Sequence, residues 1–164
     1  ELFAERGFDG TTVADIAERA GLTERTFFRH FADKREVLFA DGDALDVLVG
    51  GVEGASPLAA AIAGFTAVGA VIQGRRAFAE QRSTVIAASP ELQERELIKL
   101  ASWADAVRKA LVDQGVDTEE ATLAAQVALA VFRSAFQRWL AGPTNADLAQ
   151  SIRKTARELR ALAG

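Results

Sequence analysis

Few side chains in this sequence could do covalent or metal chemistry. There is one histidine, His30, and no cysteine in 164 residues, which removes disulfides, thiolate nucleophiles and cysteine-type zinc sites together. A di-iron helical bundle needs Glu-x-x-His pairs, and one histidine does not supply them. A serine nucleophile would have to recruit His30, which falls in a short polar head rather than over a cavity. No glycine-rich stretch has the spacing that cradles phosphates. The expectation is therefore no enzyme, no metal and no cofactor. What remains is a run of hydroxyls and cations between positions 12 and 34: Thr12, Thr23, Arg25, Thr26, Arg29, His30 and Lys34. Residues 23–35 hold four basic side chains and two acidic ones, a local sign that favours DNA. Bulk charge does not help, with 19 basic against 23 acidic residues overall and six against eight in residues 1–40.

The elements that would position this run are helices. Thr12 and Thr23 each stand where an N-cap hydroxyl can accept an orphan backbone N–H. Asp33 with Glu36, and Asp117 with Glu120, have the spacing of capping boxes. Ser56-Pro57 and Ser89-Pro90 place a capping serine before a proline at the first helical position. Gly142-Pro143 stops a helix, and Thr144 or Asn145 starts the last. These signals predict the end of a first helix to Arg6, then helices over 12–19, 23–30, 34–48, 57–72, 75–88, 90–114, 118–141 and 145–162. Nothing alternates with period two long enough to form a sheet, so the fold class is all-α. The glycine-rich residues 49–55 read as a linker, dividing a head, 1–48, from a body, 57–164. Helix 34–48 is the element expected to join them. With no methionine anywhere, the chain reads as trimmed, its first helix truncated. The most apolar stretch, 58–72, is too short to span a bilayer, and no secretory signal opens the chain. No membrane association is expected, and the cysteine-free composition fits the cytoplasm.

Within the head, Ile16, Ala17 and Ala20 share one helix face. Gly21 permits the left-handed turn, Leu22 closes it as an apolar plug, and Thr23 opens the next helix, where Phe27 and Phe31 lie one turn apart and can pack back on Ile16 and Ala20. This is the layout of a helix-turn-helix. The ordered set Leu2-Phe3, Gly7-Phe8, Thr11-Thr12-Val13, Asp15-Ile16-Ala17, Ala20-Gly21-Leu22-Thr23, Thr26-Phe27-Phe28, His30-Phe31 and Lys34 resembles the head of TetR-type (tetracycline-repressor-like) regulators. The resemblance covers about the first 40 residues; the body shares only helix count and length with that family.

The resemblance implies double-stranded operator DNA as a partner and gives the residues roles. Thr12 would offer its hydroxyl and backbone N–H to a phosphate. Thr23 and Arg25 sit at the end of the second helix that enters the major groove, with Arg25 bidentate to guanine and Thr26 on a thymine methyl or a phosphate. Arg29, His30 and Lys34 would hold the flanking backbone, although a partly buried structural role fits His30 as well. Phe28 departs from the tyrosine usual there and can pack on sugar or a thymine methyl. Glu24 either selects cytosine or caps the helix.

In the body, helix 118–141 is apolar nearly all round, which requires burial on more than one side; Ala125, Ala128, Phe132, Phe136 and Trp139 share one face, and Leu123, Val127 and Val131 another. Helix 145–162 sets Leu148, Ile152, Leu159 and Leu162 against Arg153, Lys154, Arg157 and Arg160. By resemblance, 118–141 and 145–162 form a homodimer interface about a two-fold axis. The resemblance also implies an effector cavity in the body, with Phe65, Val68, Ile72, Phe78, Ile86, Trp103, Val107, Phe132 and Phe136 as candidate lining. Gln73, Thr84, Ser102, Gln126 and Arg133 are the polar groups that could orient a small hydrophobic or aromatic ligand. The implied function is a DNA-binding transcriptional regulator, a repressor released by ligand when helix 34–48 tilts. The alternative is a helical adaptor that binds protein and keeps the fold without DNA.

Overall fold

Helix starts in the computed structural model, which describes residues 2–40 and 43–163, follow the capping chemistry. Thr12 Oγ1 accepts from the Asp15 N–H at 3.1 Å and opens α2 (Val13–Arg19), after the short α1 (Leu2–Arg6). Thr23 Oγ1 accepts from the Thr26 N–H and opens α3 (Glu24–His30). Ser56 and Pro57 start α6 (Pro57–Gln73), Ser89 and Pro90 start α8 (Pro90–Asp113), and Asp117 accepts from the N–H groups of Glu119 and Glu120 at the head of α9 (Thr118–Ala141). Between them lie α4 (Glu36–Phe39), α5 (Ala44–Gly50) and α7 (Arg76–Ala87), and α10 (Leu148–Ala163) ends the chain. No strand occurs among the described residues, so the fold is all-α, a helix-turn-helix segment followed by a larger helical body.

Three expectations need correction. The helix expected over 34–48 is not one rod: α4 stops at Phe39, Ala40 is extended with ψ 98°, and α5 begins at Ala44; residues 41–42 lie outside the described residues. The sequence across the break, Asp41-Gly42-Asp43, joins glycine, which costs about 1 kcal/mol in a helix, to two poor helix formers. The capping box at 33–36 forms by half. Asp33 accepts from the N–H groups of Arg35 and Glu36, but the Glu36 carboxylate takes Arg95 instead. The last helix starts at Leu148, with Asp147 rather than Thr144 or Asn145 accepting from its first turn, from the Gln150 N–H at 2.8 Å.

Two compact units emerge, Glu1–Asp41 with Ala77–Lys99, and Gly42–Arg76 with Leu100–Gly164. They divide the chain differently from 1–48 and 57–164: α7 (from Ala77) and the first ten residues of α8 group with the helix-turn-helix. The first unit has one apolar core of Phe3, Phe8, Leu38, Phe39, Val85, Ile86 and Leu92, with Ile16 and Val37 against it. In the second unit α6 packs on α5, α9 and α10, burying Leu48, Phe65, Val68, Trp139, Leu148 and Ile152. The glycine-rich residues 49–55 are not a loose linker. Val52 is buried, its carbonyl accepts from Gln114 Nε2 at 2.8 Å, and the chain passes so close to α6 that a Cβ on Gly54 would meet the Ala60 nitrogen at 2.7 Å. Glycine serves close approach here, not flexibility.

Candidate nucleic-acid interface

The turn between α2 and α3 is built as its residue types require. Gly21 has φ +67°, a left-handed conformation that costs other L-residues about 1–2 kcal/mol, and the Leu22 N–H returns to the Ala17 carbonyl at 2.8 Å. Phe27 is 2% exposed and its ring lies 5.2 Å from that of Phe31. Two details differ from expectation. Ala17 rather than Ala20 is the buried alanine of α2, and Leu22 is 46% exposed, so it does not plug the turn. The short loop after α1 is pinned by Thr11, fully buried, whose hydroxyl donates to the Gly7 carbonyl at 2.8 Å.

With Phe27 buried beneath it, α3 presents Glu24, Arg25, Phe28 and Arg29 outward, all exposed. Arg25 has no hydrogen bond or ion pair among the described residues, so its five donors are available to a ligand. Arg29 donates to His30 Nε2 at 3.4 Å, and His30 is exposed, which disposes of a buried structural role. Thr23 and Thr26 share a hydroxyl–hydroxyl bond of 3.0 Å. Phe28 is 54% exposed, its ring edge-on to Phe27 with centroids 5.5 Å apart.

The other two expected contacts are already engaged. Thr12 is exposed, but its N–H and its hydroxyl both donate to Asp15 Oδ2, at 2.8 and 2.6 Å. Neither is free for a phosphate as expected, and these bonds hold the Asp15 carboxyl below the usual range, with Arg6 adding to the effect. Lys34 Nζ donates to the carbonyls of Phe8 and Thr11 at 2.8 and 3.0 Å and sits 4.2 Å from the Phe8 ring centre. It staples the loop after α1, with one N–H left over.

Four of the head's acidic side chains are held in ion pairs. Glu5 meets Arg19, Asp15 meets Arg6, Asp33 meets Arg35, and Glu36 meets Arg95. Arg19 and Arg35 hold the Glu5 and Asp33 carboxyls low, chiefly by side-chain hydrogen bonding. Pairing thus engages four of the head's acids away from α3, which carries the exposed Glu24 and whose Arg25 and Arg29 have no ion pair among the described residues. Sequence reasoning missed what supports α4. Arg82 Nε donates to the Leu38 carbonyl at 2.7 Å, its guanidinium meets Glu96, and Arg82 and Arg95 lie 4.8 and 5.1 Å from the Phe39 ring centre. The only available signal was that charges of both signs recur between 76 and 96.

The residues proposed to line an effector cavity are divided between the two units. Phe65, Phe132, Phe136 and Trp139 form a ladder with centroids 5.3, 5.9 and 5.7 Å apart, and Trp103 joins it at 6.0 Å from Phe132. Val68 and Val107 are buried in the same unit and Ile72 half-buried. Ile86 belongs to the core of the other unit, and Phe78 is exposed. Of the polar candidates, Gln73 bridges the Ala146 carbonyl and the Leu148 N–H, while Ser102, Gln126 and Arg133 are exposed. Thr84 lines a cleft of about 540 Å³ in the first unit, with Phe3, Phe8, Gln81 and Val85. On α9, Leu123 is 67% exposed whereas Val131, Phe132 and Trp139 are buried within the unit; on α10, Leu148 and Ile152 are buried and Arg153, Lys154, Arg157 and Arg160 face outward. Among the described residues no single helix is long and apolar enough to cross a membrane.

Comparison with known proteins accords with this geometry. Residues 1–40 match the family model of bacterial regulatory proteins of the tetR family, and residues 55–163 match that of the MftR C-terminal domain. A transcriptional regulator of Mycobacterium tuberculosis named for mycofactocin biosynthesis is 29% identical over 148 residues, 85% of this chain and 75% of that protein. The HTH-type regulator TcmR of Streptomyces glaucescens is 50% identical over 46 residues, 28% of this chain and 20% of that one. The crystal structure of PfmR from Thermus thermophilus shares the fold at a TM-score of 0.53 and 24% identity, covering 97% of this chain and 93% of that one. With its helix-turn-helix and its helical body both matched, the chain belongs to the TetR family and is a DNA-binding transcriptional regulator.

Proposed function

We propose that this regulator is a homodimeric repressor that leaves its operator when a small hydrophobic or aromatic ligand binds the body. The observation that carries the reading is the exposed face of α3: Arg25 without a partner among the described residues, flanked by Arg29 on one side and Phe28 on the other, on a helix fixed by the buried Phe27. Thr23, Arg25, Thr26 and Phe28 read bases or adjacent backbone. Arg29 and His30 hold phosphates, Lys34 contributes its remaining N–H, and Thr12 acts chiefly by shaping α2. Two copies associate through α9 and α10, because two recognition helices about a two-fold axis can read half-sites one helical turn apart, roughly 34–36 Å. The aromatic ladder of Phe65, Trp103, Phe132 and Phe136 supports an apolar effector. Ligand and operator favour different conformers, and each weakens the other's binding. The repressor works in the cytoplasm, where the chromosome is.

The test is a mobility-shift titration on DNA upstream of the protein's own gene at several salt concentrations, followed by a thermal-shift screen of apolar metabolites. The expected result is a specific complex whose affinity falls steeply with salt, and at least one metabolite that both stabilises the protein and releases the DNA. No preference over random duplex would sink the DNA reading; a stabilising compound that leaves the complex intact would sink ligand release.

A further inference from the structure

We propose that Phe28 reads the 5-methyl group of a thymine, beside a guanine held by Arg25, so that methyl recognition and not a phosphate contact is what position 28 supplies. The inference rests on the DNA-reading of α3 and assigns the base chemistry it selects. Phe28 has no donor or acceptor, so it gives a phosphate nothing. It is more than half exposed on an otherwise polar helix face, and an apolar ring in that position gains only when something apolar covers it. In the major groove the apolar group on offer is the thymine methyl.

Three further observations support a base contact for the ring. Glu24 lies one turn before Phe28 on the same row; a carboxylate is repelled by phosphates but can accept from a cytosine N4 amine, so this row suits base edges better than backbone. Arg25 is three residues before Phe28, about 4.5 Å along the helix axis, between one and two base-pair steps of about 3.4 Å. Its unpartnered guanidinium is suited to the O6 and N7 of a neighbouring guanine. Lastly, Phe28 is propped edge-on against Phe27, itself almost wholly buried. A ring already held in place gives up little rotamer freedom on binding.

The experiment uses the intact protein. An operator is first selected from random duplexes, then each thymine of a half-site is replaced in turn by deoxyuridine, which removes the methyl and nothing else. One thymine per half-site, adjacent to or one step from a guanine, is expected to show a loss of about four-fold, the worth of one buried methyl. Substituting both half-sites multiplies this to about fifteen-fold. Phe28→Ala should bind the thymine operator more weakly and be indifferent to that deoxyuridine, whereas Phe28→Leu should retain part of the discrimination. Specific binding that is indifferent to deoxyuridine at every position overturns the proposal, as does a methyl effect that persists in Phe28→Ala. Failure to select any sequence would instead overturn the reading of α3 as a DNA-recognition helix.

Discussion

The arginine clamp around α4 makes the sharpest energetic prediction. Arg82 and Glu96 have side chains only 12% and 23% exposed, and Arg82 also donates to the Leu38 carbonyl and lies over the Phe39 ring. Helix α4 is a single turn whose terminal carbonyls lack intrahelical partners, so Arg82 supplies what the helix cannot. Arg82→Met keeps most of the apolar stem. It forfeits about 1.5 kcal/mol of partly screened charge-assisted pairing, about 1 kcal/mol for the carbonyl bond and about 0.5 kcal/mol of cation–π attraction, in all about 3 kcal/mol. Glu96→Gln should cost about 2 kcal/mol, by leaving the guanidinium half-satisfied. The double variant should lose about 1.5 kcal/mol less than the sum of the two. Urea titration can locate the damage. Both tryptophans, Trp103 and Trp139, lie in the second unit, whereas circular dichroism reports helices in both. With a slope of about 2 kcal/mol per molar urea, Arg82→Met should bring forward part of the dichroism loss by about 1.5 M while the tryptophan transition stays put. Additive losses, or an Arg82→Met cost below about 1 kcal/mol, would refute the view that this pair is desolvated enough to matter.

Three other outcomes are expected. Arg25→Ala should weaken operator binding about 10–100-fold and relax sequence preference, whereas Arg29→Ala should weaken all duplexes alike and flatten the salt dependence by about one unit, both read by competition titration. Gly64→Ala should destabilise the second unit by about 2–3 kcal/mol in the tryptophan transition, because its Cβ would fall 2.6 Å from the Leu48 oxygen and 2.9 Å from Val52 Cγ2; Gly21→Ala, in open space but at φ +67°, should cost about 1–2 kcal/mol and leave that transition alone. Asp33, lowered first by its bond to Arg35 and then by backbone N–H groups, contributes stability that is present above the ordinary carboxylate pKa of about 4 and is lost as pH falls through its lower folded value. Asp33→Asn should therefore flatten the acid limb of stability followed by dichroism below about pH 4, and an unchanged limb would remove Asp33 as a contributor.

The helix map was legible because caps are local chemistry. Thr12, Thr23, Ser56, Ser89 and Asp117 each act on N–H groups two or three residues away, and each does so in the structure. The helix-turn-helix was equally legible, since Gly21 and Phe27 are read by spacing alone. What escaped was non-local. The grouping of residues 77–99 with the head involves Arg82 and Arg95 reaching Phe39 and a shared apolar core, a match between segments some forty to sixty residues apart that no periodicity announces. For Lys34 and Thr12 the resemblance implies phosphate contacts. Competing partners inside the protein, the Phe8 and Thr11 carbonyls and the Asp15 carboxylate, take up most of their donors. The break after Phe39 was present in the sequence as Asp41-Gly42-Asp43 and was outweighed by the apolar spacing on either side.

The discontinuous make-up of the first unit has a consequence for anyone recombining such regulators. A fragment cut after residue 48 would part Phe3, Phe8, Leu38 and Phe39 from Val85, Ile86 and Leu92, leaving an open oily face and Phe39 stripped of both guanidinium groups. A chimaera meant to give this protein's operator preference to another scaffold must transplant two stretches, the N-terminal 40 residues together with 77–99. The seam in α8 then falls between Lys99 and Leu100, inside an unbroken helix, where register must be kept residue for residue.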